Sequence, residues 1–103
     1  MNENVMLPKE TTKVLMDLTG EARMDIALTV VIRDYAKHKL GEVESQITQF
    51  EEKYRMSFDA YKKIWDTEDN EKHYTQESES DYLEWEALVT RRKRLSESFA
   101  WLP

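Results

Sequence analysis

The sequence contains no cysteine, and only two glycines and two prolines among 103 residues. Without cysteine there is no disulfide framework, no zinc–thiolate site and no thiol nucleophile. So few turn-forming residues exclude a β-sandwich or barrel, which needs a turn about every 8–12 residues. No apolar run approaches the ~18 residues of a membrane-spanning helix; the longest, Ile26 to Ile32, is broken by Thr29. The opening Met1-Asn2-Glu3-Asn4 has neither the basic region nor the apolar stretch of a secretory signal, so a cytoplasmic chain is expected. Gly20 and Gly41 stand alone and cannot form a phosphate-binding loop, and no serine lies in a nucleophile-elbow context. The expectation is a single all-α domain, not an enzyme, with no cofactor.

What is abundant is charge, at 35% of residues against 40% hydrophobic. The formal net charge is −6 and is unevenly spread. Asp66 to Glu86 holds nine acids against Lys72 alone, so that segment carries −8 and the remainder +2. Four bases follow closely, Arg91-Arg92-Lys93-Arg94. Each cluster suits a solvated helix face, and the acidic one also suits steering of a basic partner. Nucleic acid, bound through its phosphates, is a poor partner for so acidic a chain.

The apolar positions recur at helical spacing. Pro8 suits the first turn of a helix over 8–19, with Val14, Leu15 and Leu18 on one face and Gly20 just past its end. Asp25 is placed as the N-cap of a helix reaching about residue 55. Along it Ala36, Leu40, Val43, Ile47, Phe50 and Tyr54 are spaced 4, 3, 4, 3, 4, the coiled-coil rhythm of one apolar seam. Gly41 interrupts that seam, leaving a continuous helix or a kink there. Ser57 can cap a short corner helix bearing Phe58, Tyr61, Ile64 and Trp65. Residues 66–80 read as an acidic loop, with Ser78 or Ser80 capping a last helix over 80–102. There Trp85, Leu88, Arg92, Leu95, Phe99 and Leu102 repeat the rhythm, widened by Tyr82 and Val89.

Two matching seams joined through a corner predict an antiparallel helical hairpin over 41–103, with Phe50 and Tyr54 near Tyr82 and Trp85. A helix of 30 residues is ~45 Å long, against a diameter of about 34 Å for a compact domain of this size. The molecule should therefore be elongated. Residues 1–40 then form a dimerisation part, where Ile26, Leu28, Val31, Ile32 and Tyr35 lie on more than one face and would meet a second copy.

Chemistry-bearing residues are sparse. Asp34 and His38 are four apart and could share a metal, but no Glu-x-x-His pair or second histidine accompanies them. His73 lies in the acidic segment beside Tyr74. The order of a short strand at 4–7, a helix from Pro8 and a helix from Asp25 resembles the ribbon-helix-helix repressors, which implies an alternative function as a DNA-binding transcriptional repressor using residues 1–40. Its ribbon would present Asn2, Glu3 and Asn4, with Lys9, Lys13 and Arg23 the nearby bases.

A second resemblance covers Phe50 to Leu95. Lys53-Tyr54-Arg55-Met56-Ser57-Phe58 and Asp81-Tyr82-Leu83-Glu84-Trp85-Glu86 resemble a group of small acidic helical proteins, many similar to antitoxin components of two-gene toxin–antitoxin systems. Arg55 stands where that group tends to carry glycine. The resemblance implies a non-catalytic protein that neutralises a cognate basic, ribonuclease-type toxin. The contact residues expected on this chain are Trp65, Tyr74, Tyr82, Glu84, Trp85 and Glu86, aromatic anchors beside acids.

Overall fold

The turn at Gly20 shows how closely local chemistry sets the chain path. Gly20 takes the left-handed conformation, φ 71°, and its N–H closes on the Met16 carbonyl at 2.8 Å, ending the first helix. The computed structural model describes residues 6–67 and 75–101. Its helices are α1 (Lys9–Thr19), α2 (Met24–Tyr54), α3 (Phe58–Thr67) and α4 (Gln76–Ala100). No strand occurs among the described residues, and Met6 and Leu7 have no regular structure. The rest of the expected strand at 4–7, like Leu102, lies outside them. None of the described helices is long and apolar enough to cross a membrane.

The helix ends adjust several sequence expectations. Pro8 is the N-cap of α1 rather than its first helical residue. Arg23, not Asp25, occupies the N-cap of α2, because Met24 is already helical. Asp25 sits in the first turn and holds the Arg23 guanidinium at 2.7 Å, where negative charge complements the helix dipole. Gly41 does not interrupt α2, which runs unbroken for 31 residues. Arg55 ends it in the left-handed region at φ 56°, the conformation that glycine adopts most cheaply.

Ser57 starts α3 as expected, its Oγ accepting the Ala60 N–H at 3.2 Å. The last helix, however, begins earlier than 80. Thr75 is its cap and accepts the Ser78 N–H at 3.1 Å, so Ser78 and Ser80 are helical residues. The expected loop over 66–80 is thus helical at both described ends, through Thr67 and from Gln76.

α2 and α4 run antiparallel. The C-terminal half of α2 meets the N-terminal half of α4, with Phe50 against Trp85 and Lys53 against Asp81. Val31, Ile32, Tyr35 and Ala36 share a hollow with Arg91 and Leu95 nearer the other end. The core gathers where α3 closes the pair: Val43, Ile47, Phe58, Tyr61, Trp85 and Leu88 are buried. Trp85, at 0% exposure, stacks on Phe50, Tyr54 and Tyr61 and receives Phe58 edge-on at 5.3 Å. Such ring pairs add about 0.5–1.5 kcal/mol each beyond their buried area.

Residues 9–35 are built differently. Ala27 is the only buried residue of α1 and the first turns of α2. Val14 and Leu18, which share one face of α1 by spacing, are exposed at 54% and 75%. The molecule measures 59 × 30 × 23 Å with a radius of gyration of 19.9 Å, well above the ~13 Å of a compact chain this long.

Candidate interaction surface

Trp65, near the end of α3, stacks on Tyr82 of α4 with centroids 4.8 Å apart and planes at 26°. Both rings also lie against Tyr61, at 6.0 and 6.1 Å, so the core holds them from beneath. Each remains half-buried, presenting part of its surface to solvent. Spacing explains the placement. Phe58, Tyr61 and Trp65 recur at helical intervals along α3, while Tyr82 and Trp85 lie one turn apart on α4.

Acids edge this stack. Burial raises the Tyr82 hydroxyl pKa first, and the Glu86 and Asp66 carboxylates raise it further. Glu86 is one turn along α4 from Tyr82, and Asp66 follows Trp65 directly. Glu84 is exposed on the same helix. Two half-buried aromatic rings with the Asp66 and Glu86 carboxylates nearby form a surface chemically suited to a guanidinium or ammonium group.

The expected contact residues therefore divide. Trp65, Tyr82 and Glu86 come together, with Glu84 on the same helix. Trp85 does not join them as a contact: it is fully enclosed by Phe50, Tyr54, Phe58 and Tyr61 and has no surface to offer. Tyr74 and His73 lie outside the described residues. Spacing alone does not point to Asp66, since its approach to Tyr82 depends on the packing of α3 against α4.

Below this patch a polar clamp ties the hairpin. Lys53 Nζ reaches Asp81 at 2.6 Å and Glu77 at 2.7 Å, and the Tyr54 hydroxyl donates to the same Asp81 carboxylate. Burial pushes the Asp81 carboxyl up, but the Lys53 and Tyr54 hydrogen bonds outweigh it and hold the group below its usual range.

Of the residues expected at a dimer contact, Ile32 and Tyr35 are exposed at 50% and 62%, Ile26 at 37%, and Leu28 and Val31 are half-buried. Val31, Ile32 and Tyr35 line the hollow that α4 completes with Leu95 and Arg91. Among the bases of the DNA-binding alternative, Lys9 and Lys13 border a shallow hollow shared with Glu10 and Asp17. Arg23 is paired with Asp25. His38 faces Glu42 at 3.0 Å rather than Asp34.

Comparison with protein-family models, curated proteins and solved structures returned no match to this chain.

Proposed function

We propose that this chain is a non-catalytic protein-interaction protein that assembles as a homodimer and binds a basic protein partner at the Trp65–Tyr82 patch. The observation that carries this reading is the stack itself, two half-buried rings bordered by Asp66 and Glu86 on a rigid aromatic core. An arginine or lysine laid over a ring face gains about 0.5–2 kcal/mol, more as the site is desolvated. Preorganised aromatic anchors concentrate binding energy, and the surrounding acids speed encounter with a basic surface.

The resemblance of residues 50–95 to antitoxin components gives this surface a biological role: neutralising a basic, ribonuclease-type toxin in the cytoplasm. Homodimerisation accounts for the exposed apolar side chains around Ile32 and Tyr35, which lack a core of their own.

The test is co-expression with the product of the adjacent gene. The wild-type chain should co-purify with that protein and relieve its toxicity. Trp65→Ala and Asp66→Lys should each weaken the complex at least tenfold while leaving the helical circular dichroism intact. Absence of a complex, or one indifferent to both substitutions, would refute the reading.

A further inference from the structure

The outward face of α4 has opposite charge at its two ends. Leu83 is 64% exposed, and Glu86, Ala87, Thr90, Arg91 and Arg94 continue its stripe along one open hollow. The acid lies before the small pair Ala87 and Thr90, and the two arginines lie at or beyond it. None of Glu86, Arg91 or Arg94 forms an ion pair within the described residues. This hollow shares Arg91 and Leu95 with the neighbouring one lined by Val31, Ile32, Tyr35 and Ala36. The two form one continuous surface: an exposed leucine toward one end, an apolar recess toward the other, and complementary charges between them.

Such an arrangement matches itself when reversed. We infer that the occupant of this surface is a second copy of the chain, related by a two-fold axis passing close to residues 89 and 90, with the two α4 helices antiparallel. Leu83 and Leu95 are 12 residues apart, or ~18 Å along a helix. Turning one copy about the midpoint brings Leu83 of each copy to the Val31–Tyr35–Leu95 recess of the other. The same rotation sets Glu86 of each copy against Arg91 and Arg94 of the other, which leaves Asp66 as the acid of the Trp65–Tyr82 patch in the dimer, and places Ala87 and Thr90 at the crossing, where small side chains allow close approach. A two-fold interface requires this reciprocity, residue i meeting j while j meets i.

Surface area supports a missing partner. A compact 12.3 kDa monomer exposes roughly 6,100 Å², whereas this chain exposes 8340 Å². The excess comes with the elongated shape and is larger than the ~800 Å² per subunit that a standard interface covers. A second copy supplies both the acid-flanked leucine and the arginine-flanked recess.

This inference rests on the homodimer reading above and specifies its surface. It is tested on the chain alone, so the result is independent of binding to a basic partner. Light scattering at micromolar concentration should give twice the 12.3 kDa chain mass. Reversing both arginines, Arg91→Glu with Arg94→Glu, should halve that mass, as should Glu86→Arg, and combining all three should restore the dimer by exchanging the charges. Because the chain lacks cysteine, Thr90→Cys should form a single intermolecular disulfide under mild oxidation, while Thr48→Cys on the exposed surface of α2 should not. A monomer mass for the wild type overturns the inference. So does a dimer whose mass ignores both reversals, or one in which Thr90→Cys cross-links no better than Thr48→Cys.

Discussion

Lys53 and Asp81, 28 residues apart in sequence, meet at 2.6 Å across the α2–α4 interface. Asp81 also accepts the Tyr54 hydroxyl, so one carboxylate receives two donors at the rim of the core. Asp81→Asn removes the charge that both donors address and should cost about 1–3 kcal/mol. The loss should appear as a lower urea midpoint with an unchanged slope.

The same clamp sets a pH dependence. The folded Asp81 carboxyl lies below its ordinary 3.8, so its contribution is present above that value and is lost as the pH falls through the folded pKa. At the other limit, burial first and the Asp81 hydrogen bond second raise the Tyr54 hydroxyl. Lys53 is raised by its bonds to Asp81 and Glu77. Both contributions are complete below the unfolded values of 10.0 and 10.5 and fade as the pH rises through the folded ones. Urea titrations at pH 3, 7 and 11 should give greatest stability at pH 7, and Asp81→Asn should flatten the acid limb.

Arg55 holds a left-handed φ of 56° without being glycine. A side chain in that region costs about 1–2 kcal/mol, partly offset because glycine gives the unfolded chain more freedom. Arg55→Gly should therefore stabilise by up to about 1 kcal/mol. At Gly20, φ +71°, alanine should destabilise by a similar amount. Gly41 lies mid-helix, and none of the described residues comes within 4 Å of an added Cβ, so Gly41→Ala should stabilise by about 1 kcal/mol. Thermal melts of the three variants check both sign and order.

The contrast between spacing and conformation explains what was legible in sequence. Ala36 to Tyr54 and Trp85 to Phe99 define seams from residue type alone, and Gly20 marks a helix end because few other residues take its φ. Capping is harder to read: Asp25 is a competent cap for α2, and Thr75, Ser78 and Ser80 all are for α4, yet the residue used depends on where the chain leaves the preceding element. The same holds for the patch. Tyr82 and Glu86 share a helix face by spacing, whereas Asp66 joins them only through α3–α4 packing. Trp65 and Trp85 occupy equivalent stripe positions, yet only Trp85 lies between three helices and disappears from the surface.

That enclosed position makes Trp85 the most sensitive single residue. Trp85→Ala would open a cavity among Phe50, Tyr54, Phe58 and Tyr61, costing about 3–5 kcal/mol, a large share of the 5–15 kcal/mol typical of a folded domain. Trp85→Phe should be far milder. Trp85 Nε1 is buried without a hydrogen-bond acceptor among the described residues, and removing that donor offsets part of the lost ring volume. Urea denaturation followed by circular dichroism should rank wild type, Trp85→Phe and Trp85→Ala in that order.

The start of α4 gives a local test of the cap. Thr75 Oγ1 accepts the Ser78 N–H at 3.1 Å, satisfying one of the donors a helix N-terminus leaves open. Glu77 and Glu79 add negative charge in the first turn, so this end is stabilised both by the hydroxyl and by the helix dipole. Thr75→Ala should cost about 1 kcal/mol, while Thr75→Ser and Thr75→Asp keep an acceptor and should cost little. Ser78→Ala and Ser80→Ala, inside the helix, should fall within about 0.5 kcal/mol of wild type because alanine is the better helix former. Amide exchange at Ser78 and Glu79 would locate the effect: Thr75→Ala should speed it, whereas equal protection in both variants would place the cap elsewhere.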